Sequence, residues 1–213
     1  MEQIKILDDL YLFRTMNQDI NLTFNQYLLL GSRPVLIHTG NVQQAEELVM
    51  KIKAILGKAE LSYIYFSHFE ADECGGLGII HSQFPQAKPV CSQVSARQLR
   101  GFGFNYDFVV KAPGEWLETP EYKLDFISYP AEMHLWEGLL AFEAQRKIFF
   151  SSDLLLRMGV ASATPVEADW HQEIRDITPQ QVASPEARHT LQQTLAALPV
   201  KYVATGHGPF LTV

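Results

Sequence analysis

Ten residues, Ser67 to Gly76 (SHFEADECGG), constrain this chain more than any other stretch. The preceding run, Leu61-Ser62-Tyr63-Ile64-Tyr65-Phe66, is dominated by apolar and aromatic residues and reads as a buried strand. At its end stand His68, Glu70 and Asp72 at spacing two, which an extended backbone would point the same way, and Glu73 follows at once. Such a row of imidazole and carboxylates beside an apolar strand costs free energy unless its charges are paired or bound to a metal. Any fold this chain adopts must bring that row to a place where partners or cations can meet it.

The rest of the composition is that of a globular protein. Of 213 residues, 47% are hydrophobic and 19% charged, enough apolar material for one large core and one domain spanning 1–213. A net charge of -7 supplies no basic footprint, so neither nucleic acid nor an anionic membrane is expected as a partner. The N-terminus, MEQIKILDDLYLFRT, lacks a basic segment followed by an apolar core, and no run approaches the roughly 18 apolar residues of a membrane span. A soluble, cytoplasmic protein is the expectation. Cys74 and Cys91, without C-x-x-C spacing, read as reduced thiols.

Along the chain, short strands are expected at Gln3-Leu7, Leu10-Arg14, Phe24-Leu30 and Val35-Thr39, a β-meander broken by turn residues. Apolar residues at Ala45, Leu48, Val49, Ile52, Ile55 and Leu56 have helical spacing, and Gly57 stops that helix. A helix around Leu77-Gln83, a strand Lys88-Cys91 and a helix Ser95-Leu99 follow. Strands return at Phe108-Lys111, Tyr122-Ser128, Gly138-Ala144 and Lys147-Phe150, the last two joined by a turn at Gln145-Arg146. The polar segment Arg157 to Pro179 reads as an irregular insertion, Gln180 to Leu198 as a helix and Lys201-Ala204 as a closing strand. This order fits an α/β (α+β) arrangement of two mixed sheets faced by outer helices, and patterning alone also fits other α/β arrangements.

Three further ligand-type residues each end a strand-like run: His134, Asp153 and His207. Taken singly, each has a plainer reading. His134 or His207 could be a surface or hydrogen-bonded histidine, and Asp153 before Leu154-Leu155-Leu156 could cap a helix. Together with the central row they supply three histidines and three carboxylates, enough for two metal ions that share one carboxylate. Cys74 reads as a small buried residue rather than a redox thiol. His81, His171 and His189 read as surface histidines, and Phe69, Trp116, Tyr129 and Trp136 read mostly as core that could also shield the site.

The set His68-x-Glu70-x-Asp72, His134, Asp153 and His207, in its strand contexts, resembles the metallo-β-lactamase-like diiron domain of flavodiiron proteins. Tyr27-Leu28-Leu29-Leu30 leading to Leu36-Ile37-His38-Thr39-Gly40, Phe149-Phe150-Ser151-Ser152-Asp153 and Gly206-His207-Gly208 extend the resemblance over nearly the whole chain. It implies a four-layer αββα sandwich, a first metal held by His68, Glu70 and His134, a second held by Asp72 and His207, and Asp153 as a bridge. Glu70 stands where zinc hydrolases of this superfamily usually have His. The harder donor set favours two iron ions, with zinc or manganese as alternatives. Two positions depart from the pattern: Glu73 replaces a common His and His38 a common Asp. The exchange suggests that the two lie near each other, as extra ligands or as support for the ligands.

The resemblance further implies binding or reduction of dioxygen or nitric oxide, as sensor, carrier or reductase. Flavodiiron relatives carry a flavodoxin-like domain. Here the sequence reaches Val213 directly after the last histidine strand, so no flavin is expected within it and electrons would come from an external electron-transfer protein. A homodimer is a further implication of the resemblance. The rival reading is a dinuclear metal-dependent hydrolase of the same fold, acting on an ester, thioester, lactam or phosphodiester. A third is a metal-binding interaction domain without turnover.

Overall fold

The structure, a computed structural model, describes residues 1–130 and 138–213. Its first sheet runs in chain order: β1 (Glu2–Leu7), β2 (Leu10–Asn17), β3 (Leu22–Leu29), β4 (Val35–Ile37), β5 (Tyr63–Tyr65), β6 (Lys88–Ser92) and β7 (Val109–Lys111). β1 to β4 pair antiparallel as a meander, and β4 to β7 pair parallel. The parallel crossovers carry helices α1 (Val42–Leu56), α2 (Ala71–Cys74), α3 (Leu77–Gln83) and α4 (Gln93–Gly101). The second sheet has β8 (Trp116–Glu118), β9 (Lys123–Tyr129), β10 (Gly138–Glu143), β11 (Ile148–Ser152), β12 (Val166–Glu167), β13 (Tyr202–Thr205) and β14 (Leu211–Thr212), in the order β12-β14-β13-β11-β10-β9-β8. Helices α5 (Trp170–Arg175) and α6 (Pro185–Ala196) lie on its outer face.

Strand alternation sorts the side chains into three apolar layers. In β4, Val35 and Ile37 enter the core between the sheets while Leu36 faces the helices of the first sheet. In β11, Ile148 and Phe150 enter the same inter-sheet core while Phe149 meets Trp170 and Ile174 of α5. Both faces of both sheets are thus covered, and the layers run helix, sheet, sheet, helix, as expected. Truncating a fully buried residue such as Leu36 or Phe149 would cost roughly 2–5 kcal/mol.

Local sequence explains most boundaries. α1 begins in a capping box, with the Asn41 side chain accepting from the Gln44 amide and the Gln44 side chain accepting in return, and it buries Ala45, Leu48, Val49 and Ile52. Four expectations need correction. The central row is not extended: β5 stops at Tyr65, and Ala71 to Cys74 form a one-turn helix. The polar insertion contains α5, capped by Asp169, because Trp170 and Ile174 give it a stripe to bury. α6 starts at Pro185, not Gln180, since Ser184 caps it and proline suits the first helical position. Trp116 is not core: it is 52% exposed on β8, a strand absent from the sequence reading, with the Lys123 ammonium over its ring.

Candidate metal centre

The candidate residues gather where the topology puts strand ends side by side. β11 and β13 are parallel neighbours, so Asp153, just after β11, and His207, just after β13, leave the second sheet at the same rim. β4 and β5 are parallel neighbours in the first sheet and deliver His38 and His68 to theirs. The two rims are tied together where the Leu139 amide donates to the Ser67 carbonyl at 2.8 Å. Gly138 permits this approach, since a Cβ there would lie 3.0 Å from the Ser67 carbonyl oxygen and 3.1 Å from the His68 Cβ.

Within the cluster, His68 Nε2 lies 3.0 Å from Glu70 Oε2, 3.5 Å from Asp153 Oδ2 and 3.8 Å from Glu73 Oε2. His207 Nε2 lies 3.1 Å from Asp153 Oδ1 and 3.3 Å from Asp72 Oδ2. The two oxygens of Asp153 therefore face different histidines. Ligand atoms of His68, Glu70 and Glu73 lie within 4.8 Å of one another, and so do those of Asp72, Glu73 and His207. The helical turn α2, which the sequence did not reveal, has a consequence here: Glu70, at its N-terminal cap, points to His68 while Asp72 points to His207. His134 lies outside the described residues.

The ring nitrogens turned away from the cluster are also held. His207 Nδ1 donates to the Thr23 carbonyl at 2.7 Å, which leaves Nε2 directed at the carboxylates. His68 Nδ1 meets the Ser67 hydroxyl at 3.0 Å. That hydroxyl is a hub, 3.1 Å from His38 Nε2 and 2.7 Å from the Ser152 hydroxyl, with all four residues buried. Among the described residues, four non-glycines have positive φ, and two of them, His38 (63°) and Ser152 (49°), converge on Ser67. Backbone strain of this kind costs on the order of 1–3 kcal/mol per residue and concentrates at functional sites. His38 therefore supports the cluster through Ser67. Its link to Glu73 runs through the neighbouring Thr39, whose amide donates to the Glu73 carbonyl at 2.8 Å.

The crowding of acids and imidazoles shifts their protonation. Burial and then Asp153, Asp72 and Glu70 push the Glu73 carboxyl well above the usual carboxylate range. Burial alone would lower His207, but Asp153 and Asp72 outweigh it and raise the imidazolium to about 10. For Asp72, burial is outweighed by its contacts with His207 and Glu73, and its carboxyl is lowered. Burial, reinforced by His68, takes His38 down to about 4. Both upward shifts favour keeping a proton, on Nε2 of His207 and on the Glu73 carboxyl, amid the other carboxylates. The fit to metal is supported by Glu73 Oε2, a buried oxygen without a hydrogen-bond partner among the described residues, and by the hard oxygen and imidazole donor set.

Other candidates stand apart. The Cys74 thiol is buried, contacts the Glu70 carbonyl at 3.2 Å and is raised to about 12 by burial, which leaves it protonated. His81 stacks on Tyr106 at 3.8 Å and His189 pairs with Gln193 at 2.9 Å. Tyr129 is buried with its ring edge-on to His68, and Phe69 stacks on Phe102. Ser67 and Ser152 escaped the sequence reading, although each is a hydroxyl residue directly before a candidate ligand. A cavity of about 580 Å³ opens onto the cluster, walled by Leu22, Phe24, Tyr129 and Leu156 with the amides of Gln180 and Gln181 at its edge.

Comparison with known proteins gives concordant results. A family model described as ODP family beta lactamase matches residues 22–208. The flavo-diiron protein FprA2 of Clostridium acetobutylicum is 24% identical over 235 residues, covering 100% of this chain and 58% of that protein. A nitric oxide reductase of Moorella thermoacetica is 27% identical over 150 residues, covering 69% of this chain and 36% of the relative. Among solved structures, rubredoxin oxygen:oxidoreductase from Desulfovibrio gigas superposes with a TM-score of 0.79 at 18% identity, over 99% of this chain and 57% of that one. The chain spans less than two thirds of the length of each of these proteins.

Proposed function

The chain belongs to the ODP family beta lactamase family, and on that premise we propose that its cluster holds two metal ions, iron in preference to zinc or manganese, and binds or reduces dioxygen or nitric oxide there. His68, Glu70 and His134 would hold the first ion, Asp72 and His207 the second, and Asp153 would bridge them. The observation that carries this reading is Asp153, whose Oδ2 lies 3.5 Å from His68 and whose Oδ1 lies 3.1 Å from His207. A carboxylate so placed serves two cations at once. The choice of iron rests on Glu70, a hard oxygen donor beside His68. The activities named for the nitric oxide reductase and the oxygen:oxidoreductase support a diatomic substrate.

A bound iron pair would supply the redox equivalents and the open coordination positions for a diatomic molecule. The chain's own residues do the rest. The Thr23 carbonyl fixes the His207 tautomer, the Ser67 hydroxyl holds the His68 ring, and Leu22, Phe24 and Tyr129 wall the cavity with apolar surface. Residues 1–213 act as one domain in this reading. Anaerobic loading with ferrous iron, followed by optical spectra before and after admitting air or nitric oxide, tests it. A new charge-transfer absorption on exposure is the expected result, and an unchanged spectrum from an iron-loaded chain contradicts it.

One observation favours a second reading. The cavity over the cluster, about 580 Å³, is far larger than a diatomic molecule and falls within the range of sites for small organic ligands. A metal-dependent hydrolase acting on an ester, thioester or phosphodiester would use that space. Turnover of a generic thioester by the zinc-loaded chain, with no spectral response of the iron-loaded chain, would select this alternative.

A further inference from the structure

Glu73 lies at the centre of the cluster with 1% of its surface exposed. Among the described residues its Oε2 has no hydrogen-bond partner, whereas Glu143, the other acid buried among them, accepts from three backbone amides. The nearest imidazole among the described residues, His68 Nε2, is 3.8 Å away, too far for a hydrogen bond. Backbone contacts hold the residue in place from behind, since the Thr39 amide (2.8 Å) and hydroxyl (3.2 Å) both donate to its carbonyl. Among the described residues, only Glu73 belongs to both groups of mutually close ligand atoms, one with His68 and Glu70 and the other with Asp72 and His207.

We propose that Glu73 is a metal ligand shared by the two ions, a second carboxylate bridge beside Asp153, an assignment that rests on the dinuclear reading above. Charge counting supports it. Glu70, Asp72, Glu73 and Asp153 carry four negative charges between them, which balance the four positive charges of two divalent cations. With the histidines neutral, the site is then electrically neutral in its divalent state, and no buried charge is left uncompensated. Replacing an imidazole donor with an oxygen donor also makes the second position harder, so it favours manganese or ferrous iron over zinc.

Titration of the metal-free full chain with Mn²⁺, followed by calorimetry and by electron paramagnetic resonance, tests this assignment. Wild type is expected to take up two ions and give an exchange-coupled spectrum. Glu73→Gln, nearly isosteric and uncharged, is expected to keep one ion and bind the other at least ~100-fold more weakly, with an uncoupled spectrum at one equivalent. Metal-free Glu73→Gln should unfold at the wild-type temperature or above it, because an acid crowded by other carboxylates has been removed. Two ions bound by the variant with wild-type affinities and a coupled spectrum would overturn the role of Glu73 alone. Fewer than two ions in wild type would instead overturn the dinuclear reading. Should Glu73→Gln not fold, Glu73→Asp keeps the charge and withdraws the oxygens by one methylene. It is expected to weaken the same ion, and unchanged binding by it counts against the assignment.

Discussion

Two buried glutamates in this molecule are equally hidden and oppositely treated. Glu143, 0% exposed at the end of β10, accepts from the amides of Lys123 (3.3 Å), Gln145 (3.0 Å) and Arg146 (2.6 Å) and lies 3.4 Å from the Arg146 guanidinium, which also pairs with Asp9. Glu73, 1% exposed, has three other carboxylates around it and an oxygen with no donor among the described residues. Glu143 is a structural acid whose burial cost is offset by protein donors, and it closes the turn between β10 and β11. No described residue does the same for Glu73 Oε2. The difference supports the proposed cation site more directly than the mere presence of acidic residues would.

The contrast can be broken in several ways. The largest effect expected is that of metal itself: at free metal a thousand times Kd, each bound ion should add about 4 kcal/mol to unfolding stability, read by urea denaturation with and without chelator. If added metal leaves stability unchanged, the cluster does not bind it. Next, Glu143→Ala should cost about 1–3 kcal/mol, because it leaves three amides without their acceptor while the half-buried Arg146 guanidinium keeps Asp9, and the loss should be the same in metal-free and metal-loaded protein. A loss that depends on metal would erase the distinction between the two acids.

A smaller effect is expected at the hub. Ser67→Ala removes the hydroxyl shared by His68, His38 and Ser152 and should weaken metal binding by roughly 10–100-fold without changing stoichiometry, as measured by competition with a chromophoric chelator. Unchanged affinity would leave the strained backbone at His38 and Ser152 without a function. The gentlest probe is pH. His207 is raised to about 10 in the folded metal-free chain, so its stabilising contribution is full below the unfolded value of about 6.5 and is lost as pH rises toward 10. Glu73, raised as an acid, changes stability in the same direction above its unfolded value. Metal-free stability should therefore fall with rising pH while metal affinity rises, because binding displaces those protons. Parallel trends in the two curves would contradict the assignment.

Much of this was legible in the sequence, and what was not has identifiable causes. The alternation in strands such as Val35-Leu36-Ile37 and Ile148-Phe149-Phe150 encodes faces buried on both sides, and so encodes the layered fold. The residue types at 68, 70, 72, 153 and 207 are ligand types, and His68, Asp153 and His207 follow strands that the topology makes neighbours within each sheet. Spacing misled in the central row, where the Gly75-Gly76 pair and a single helical turn send Glu70 and Asp72 to different histidines. The Ser67 hub and the Thr23 carbonyl could not be read because they are long-range contacts between the sheets and through the backbone, which no local pattern records. The helix Trp170–Arg175 was hidden by its polar neighbours, since only two residues anchor it.

The central claim is that Asp153, flanked by His68 and His207, sits between two cations. Crystals of the protein loaded with manganese or iron, with anomalous scattering recorded at the metal edge, test it most directly. Two anomalous peaks are predicted, one beside His68 and Glu70 and one beside Asp72 and His207, with Asp153 between them. A single peak, or peaks away from Asp153, would contradict it.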